Sequence, residues 1–284
     1  MAINPSSTKT GLFLFPVLLA SLWLASPVHA QETEKSRCFN LEGLSPSLRQ
    51  KSEAYLLKAL DTESLFTIVG GLKPMSAGFY SQPISALQDI DELRLIVARW
   101  RCGDEIHADV VHYASAHASG RHVRGVIFSL PALKRKIEEQ SGLFSRWGIT
   151  PNASPTEVLM AVDDARDASR FAGYGYLFGY PDEAVHFFVN AAIRQEMGDN
   201  SRERDSRAIP TFQRETGQFT YAVPKGAEET EADRQLRERA RAILEAYRSR
   251  RASYVGDGKP GVAALLRDWF CPTDNQCSPE NAAR

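Results

Sequence analysis

The first thirty residues constrain this chain most, because they separate a segment that is removed from the part that folds. A polar start leads into an apolar run over residues 11–25, and small residues at Val28 and Ala30 occupy the positions that a signal peptidase reads. The apolar run is short for a membrane span. We therefore predict a cleaved signal peptide over residues 1–30 and a single globular domain over residues 31–284.

The cysteines follow from this prediction, because all four lie after the predicted cleavage site. An even number of cysteines in an oxidising compartment predicts two disulfides. The short spacing between Cys271 and Cys277 favours a local bridge, which leaves Cys38 to pair with Cys102. The alternative joins Cys38 to one cysteine of the C-terminal pair.

Composition narrows the class of protein and its partners. The chain is 43% hydrophobic and 24% charged, as in an ordinary globular protein, and its formal net charge is -1. Such a balance argues against a general nucleic-acid or anionic-membrane binder. No later apolar run reaches the length of a membrane span, so we expect no stable membrane insertion after cleavage. The predicted location is the periplasm or the extracellular space.

The pattern of apolar residues predicts an α+β fold, a mixed helix-rich single domain with a small, mainly antiparallel sheet. Helical periodicity and capping residues predict helices over about 46–60, 87–100, 131–147, 154–170, 181–198, 230–247 and 261–270. Apolar and β-branched runs predict strands at 65–69, 106–113, 123–130 and 218–223. The segment 199–207 is predicted as a mobile surface loop, and the residues after Cys277 as a disordered tail.

Histidine spacing gives one candidate site. Four histidines fall five residues apart between positions 107 and 122. On a strand, His107 and Asp109 share a face because side chains alternate. Imidazole and carboxylate are ligands that suit zinc or another divalent transition metal, so we predict these two residues as candidate metal ligands with such a metal as cofactor. The alternative is hydrogen-bonded or solvent-facing histidines on a hairpin.

A glycine pair after the run at 65–69 gives a second candidate. Gly70 and Gly71 would let the backbone approach a ligand closely, and Lys73 or Ser76 would then contact an anionic group. The spacing matches neither a P-loop nor a dinucleotide fingerprint, so nucleotide binding has no support. The alternative is a structural turn.

Aromatic residues alternate with glycines between Phe171 and Phe188, and this segment gives a third candidate. Tyr174, Tyr176 and Tyr180 precede a predicted helix start. Aromatic walls hold sugars, peptides or other partly apolar ligands, so we predict these tyrosines as ligand contacts. The alternative is that the rings pack in the core.

The helix that follows carries a candidate acid-base pair. Asp182 and His186 are four residues apart, a spacing that brings side chains together on one helix face. They could form a hydrogen-bonded acid-base pair, and we predict both as candidate catalytic residues.

These sites leave more than one class of function open. The sequence favours an exported, non-catalytic protein that binds a small molecule or serves as an accessory to another exported protein. The alternative is an exported hydrolase, in which Asp182 and His186, or a metal held by His107 and Asp109, activates water. A third possibility is an interaction protein with a flat patch.

Overall fold

The computed structural model of the protein describes residues 34–83, 87–117, 120–198, 203–273 and 277. The predicted signal peptide and the predicted tail after Cys277 lie outside these residues. All the described residues belong to one compact unit. Within the described ranges, no helix combines the length and the apolar character that a membrane crossing needs.

Helices form most of the regular structure, and several begin at the capping residues that the sequence indicates. Ser45 accepts a hydrogen bond from the Leu48 amide, and Ser154 and Thr230 each form a capping box. The helices are α1 (Glu34–Arg37), α2 (Pro46–Asp61), α3 (Leu65–Ile68), α4 (Leu87–Val97), α5 (Leu130–Glu139), α6 (Ser141–Phe144), α7 (Pro155–Asp164), α8 (Ser169–Leu177), α9 (Asp182–Glu196), α10 (Glu231–Tyr254) and α11 (Val262–Phe270), with a short 3-10 turn at Ser145–Trp147.

The strands form two antiparallel sheets, which confirms the α+β prediction. The strands are β1 (Met75–Pro83), β2 (Ile106–His117), β3 (Gly120–Ser129), β4 (Arg204–Ile209) and β5 (Phe219–Pro224). Three of them form a sheet in the order β1-β3-β2, in which Phe128 of β3 lies opposite both Met75 and His107. The other two form a hairpin in which Ser206 pairs with Ala222.

The three-stranded sheet separates two apolar cores, and β3 shows why. Val123 and Ile127 belong to the larger core, which α2, α4, α10 and α11 complete. Val126 and Phe128 belong to the smaller core, which α5, α7 and α8 complete. Because side chains alternate along a strand, a continuous apolar run such as that of β3 serves helices on both faces of the sheet.

The strand predicted at residues 65–69 is wrong, since the structure places helix α3 there. The amides of Thr67 and Ile68 bond to the Ser64 carbonyl, and all four residues of α3 are buried. A short, fully buried apolar run has the same pattern in a strand and in a helix, so periodicity could not separate them. Strand β1 begins soon after this helix, at Met75.

Other predicted boundaries also differ from the structure, and two of them concern elements that line the cavity described below. The segment predicted as a mobile loop contains strand β4 from Arg204 onward, because its backbone pairs with β5 although its side chains are mostly exposed. The helix predicted over 154–170 ends at Asp164, and a new helix starts at Ser169. In both cases backbone pairing or tertiary packing overrides a weak local signal.

Both disulfides have the favoured pairing. Cys38 is bonded to Cys102, and Cys271 is bonded to Cys277. The first bridge ties α1 to the turn before β2, and the second ties the end of α11 to the residues that follow it. Two disulfides are compatible with export to an oxidising compartment.

Candidate functional site

A cavity of about 390 Å³ opens where α8, the first two turns of α9 and the β4-β5 hairpin meet. Its size falls within the range of small-molecule sites, about 300 to 1,000 Å³. Six of the thirteen residues that line it are aromatic, and we call it the aromatic cavity. The rings that line it belong to Phe171, Tyr174, Phe178, Tyr180, Phe188 and Tyr221.

Helix α8 and its C-cap residue Phe178 supply half of these rings, and two glycines of α8 allow close packing against the neighbouring helices. A Cβ atom on Gly173 would lie 2.8 Å from a methyl of Val162 in α7, and one on Gly175 would lie 2.8 Å from a methyl of Val185 in α9. Glycine therefore lets α8 pack closely against both helices. The aromatic residues at 171, 174 and 178 follow the three-and-four spacing of a single helix face, and that face borders the aromatic cavity.

Two of the tyrosines that line the aromatic cavity have hydrogen-bonded hydroxyls. The Tyr174 hydroxyl donates to Asp163 Oδ1 at 2.6 Å, and the Tyr221 hydroxyl donates to Asp233 Oδ1 at 2.6 Å. The Tyr174 ring also stacks on Phe178, with centroids 5.8 Å apart and planes 20° apart. These contacts fix the rings before a ligand arrives.

Tyr180 connects the aromatic cavity to the core beneath it. Its ring stacks on buried Phe219 at 6.1 Å and lies 5.8 Å from the ring of Tyr221. Burial, with a contribution from the Glu63 carboxylate, raises the pKa of Tyr180 to about 12. Its hydroxyl is therefore neutral at physiological pH and adds no charge to the wall.

Lys73, a predicted ligand contact, lies behind this wall. The side chain is fully buried, and its ammonium forms an ion pair with Glu63. The same nitrogen lies 4.6 Å from the ring centroid of Phe219 and 5.5 Å from that of Phe178. Burial lowers the pKa of Lys73, although Glu63 opposes that shift. The structure thus places Lys73 under the rings of the wall rather than at its surface.

The other predicted ligand contacts of the glycine-rich segment are Gly70, Gly71 and Ser76. Gly70 and Gly71 have φ of 75° and 53°, values that suit glycine, and a Cβ on Gly70 would lie 2.6 Å from Ile243. Ser76 is buried, with its hydroxyl 2.7 Å from that of Thr67. Gly70 and Gly71 thus form a tight turn and Ser76 lies in β1, and direct contact with a ligand stays a prediction.

The β4-β5 hairpin forms the polar edge of the aromatic cavity. Arg204 and Ser206 of β4 and Thr220 and Ala222 of β5 line it, and these four residues share one face of the hairpin because side chains alternate. On the other face, Arg207 forms an ion pair with an aspartate of α10. The hairpin is therefore held by its inner face, and it lines the cavity with its outer face and with Tyr221, whose buried ring lies on the inner face.

The aromatic cavity has the chemistry of a binding site for flat, apolar groups. No known protein family, curated protein or solved structure matches this chain. Among the described residues that line the cavity, no side chain is acidic, an imidazole or a thiol. Such a wall binds through ring contacts and buried apolar area.

The candidate acid-base pair lies beside the aromatic cavity, and its two members contact different partners. Asp182 accepts a hydrogen bond from Gln140 Nε2 at 3.1 Å and lies 4.0 Å from the Lys136 ammonium. His186 is exposed, with Nε2 3.3 Å from the Tyr176 hydroxyl. Tyr176 is itself buried and packs under the Lys136 ammonium. The predicted ligand contact at Tyr176 and the predicted catalytic pair thus belong to a surface cluster outside the cavity lining.

His107 and Asp109 lie side by side on β2, as the strand spacing predicts. His107 Nε2 is 4.0 Å from Asp109 Oδ2, and the same carboxylate oxygen accepts a hydrogen bond from the Thr156 hydroxyl at 2.8 Å. Burial lowers the pKa of His107, Arg101 lowers it further, and Asp109 opposes both. The imidazole is therefore neutral at pH 7, the form that binds metals.

A third ligand for such a metal is not found beside this pair in the described part of the chain. The one group of three potential ligand atoms close enough to share an ion there consists of the sulfurs of Cys38, Cys102 and Cys271. Those sulfurs are bonded in disulfides and offer no thiolate. A metal held by His107 and Asp109 stays a prediction.

Sequence reasoning found one wall of the aromatic cavity and missed the other. The segment from Phe171 to Phe188 is the wall predicted from its aromatic and glycine pattern. The sequence does not predict the hairpin wall, because the segment 199–207, which includes the start of β4, has the pattern of a surface loop. The strand predicted at 218–223 was a signal for a second strand, because a strand needs a partner. In a two-stranded hairpin, that partner is the segment next to it in the chain.

Proposed function

We propose that this protein is a non-catalytic binding protein that holds a small, ring-bearing, mainly apolar ligand in the aromatic cavity. The observation that carries the proposal is the wall of six aromatic rings around a volume that suits one small molecule. The rings of Tyr174 and Tyr221 are held in place because their hydroxyls donate hydrogen bonds to Asp163 and Asp233, respectively. A site arranged before binding loses little side-chain entropy when the ligand enters.

Binding is favoured over hydrolysis by the chemistry of the lining. A hydrolytic site needs a nucleophile or a base within hydrogen-bond reach of the substrate. The candidate residues Asp182 and His186 contact Gln140 and Tyr176, respectively, rather than each other. A hydrolase therefore remains the second candidate, with less support from the geometry.

The wall also distinguishes among ligand classes. Sugars and peptides carry many polar groups, each of which needs a partner when it is buried. The aromatic cavity offers Arg204, Ser206 and Thr220 along a single edge and rings elsewhere. This distribution suits a flat apolar body with polar atoms at one end.

The compartment that fits this proposal is the periplasm or the extracellular space. The predicted signal peptide and the two disulfides support export. An exported binding protein needs no catalytic group, since its work is to carry, sequester or present a molecule or to assist another exported protein.

The proposal is tested with a neutral fluorescent ligand, N-phenyl-1-naphthylamine, which has two connected aromatic parts and emits strongly in apolar surroundings. We expect saturable binding by the purified, disulfide-bonded protein. The variant Ala222→Phe places a ring in the aromatic cavity from a strand position that favours aromatic residues. It should weaken binding by about tenfold or more, equivalent to about 1.4 kcal/mol.

The matched control is Ala242→Phe, at an exposed position on α10 outside the cavity lining. It should keep the affinity within about twofold, as expected of a surface change. Absence of saturable binding, or equal loss in the two variants, would contradict the proposal. Circular dichroism of both variants checks that each is folded.

A further inference from the structure

Arg204 supplies the charge of the aromatic cavity. Of the described residues that line it, Arg204 alone carries a formal charge, and none is acidic. The side chain is exposed and forms no hydrogen bond or ion pair with another described residue. In contrast, Arg207 on the opposite face of the hairpin is paired with Asp233.

Ser206 and Thr220 extend the polar edge beside this arginine. All three side chains emerge on the outer face of the hairpin, two from β4 and one from β5. A guanidinium keeps its positive charge across the physiological pH range and binds a carboxylate or sulfonate through two parallel hydrogen bonds. Hydroxyl groups next to it can donate to the same anion.

We infer that the ligand is an organic anion, a flat ring system that carries one acidic group at its edge. The rings of the aromatic cavity receive the apolar body, and Arg204 receives the carboxylate, sulfonate or phosphate. This inference rests on the proposed function, because it assigns the ligand class of the same cavity. A cationic ligand is disfavoured, since its charge would meet an unpaired guanidinium.

The test compares two probes with one ring skeleton. N-Phenyl-1-naphthylamine is neutral, and 1-anilinonaphthalene-8-sulfonate adds a single sulfonate to it. We expect the sulfonate to bind more tightly, and Arg204→Gln to weaken its binding by about tenfold, as for loss of a charge-assisted hydrogen bond. The same variant should weaken binding of the neutral probe by less than that of the sulfonate, because the neutral probe carries no anionic group for the guanidinium to bind.

The matched control is Arg248→Gln, which removes an exposed arginine of α10 outside the aromatic cavity and should change neither affinity. If the neutral probe binds but the sulfonate binds no more tightly, or if Arg204→Gln leaves sulfonate binding unchanged, the inference of an anionic ligand is wrong. The proposed function of the cavity is not contradicted by either result. If neither probe binds, the proposed function itself fails. Sulfonate binding that persists in Ala222→Phe takes place elsewhere and also contradicts the inference.

Discussion

Lys73 is a fully buried cation whose ammonium lies beneath the ring of Phe219 and is paired with Glu63. A charge in such a position is tolerated only while its partner and the surrounding rings compensate for lost hydration. Glu63 retains 18% of its side-chain exposure, so water reaches the carboxylate but not the ammonium. Removing the carboxylate should therefore lower the free energy of unfolding more than removing the ammonium.

Glu63→Gln should lower the free energy of unfolding by about 3 to 5 kcal/mol, because it leaves a buried ammonium without a counter-charge. Lys73→Met should cost less than half of that, since methionine fills the space with apolar atoms and the remaining carboxylate can be hydrated. Urea unfolding of both variants at pH 7 measures the difference. Equal losses, or a larger loss for Lys73→Met, would contradict this account of the pair.

At the scale of elements, the β4-β5 hairpin of the aromatic cavity is tied to α10 through Asp233. Asp233 of α10 is buried and accepts hydrogen bonds from the Tyr221 hydroxyl and from Thr230, and it pairs with Arg207. Burial opposes its ionisation, but these hydrogen bonds and the guanidinium outweigh burial, so the pKa of Asp233 lies below its ordinary value of 3.8. Asp233 is therefore ionised in the folded protein at neutral pH.

Asp233→Asn should lower the free energy of unfolding by about 3 kcal/mol at pH 7, the cost of breaking a buried ion pair. A carboxyl whose folded pKa is lowered stabilises the fold above its unfolded pKa and loses that contribution as the pH falls through the folded value. The difference between wild type and variant should therefore shrink below about pH 3.8. Urea unfolding between pH 7 and pH 3 measures it.

The control for this change is Asp205→Asn on the same hairpin. Asp205 is exposed, and its carboxylate accepts a hydrogen bond from the Gly226 amide at 2.8 Å. The variant should cost no more than about 1 kcal/mol, the usual worth of one hydrogen bond. A loss at Asp233 as small as that at Asp205 would show that the hairpin does not depend on Asp233.

Elements with strong local signals could be predicted from the sequence, and those defined by pairing could not. The capping residues Ser154 and Thr230 begin α7 and α10 where the sequence indicates, because the cap forms within four residues. Strand β4 has mostly exposed side chains and becomes a strand only through its ladder with β5. Local sequence patterns therefore do not predict the hairpin wall of the aromatic cavity.

At the scale of the whole molecule, the three-stranded sheet lies between two cores, and the aromatic cavity is built on elements of both. Leu177 of α8 packs in the smaller core, whereas Phe219 and Tyr221 of β5 belong to the larger. The cavity thus lies where elements of both cores meet. Its aromatic segment was predicted from composition, but this meeting point depends on contacts far apart in sequence.

A crystal structure of the protein grown with saturating N-phenyl-1-naphthylamine tests directly whether the aromatic cavity binds a small ring-bearing ligand. We expect ligand density inside the aromatic cavity, with the rings of the ligand in van der Waals contact, about 4 Å, with Tyr174, Phe178 and Tyr221. A cavity left empty while the ligand binds elsewhere, or one filled by the protein's own side chains, would contradict this expectation.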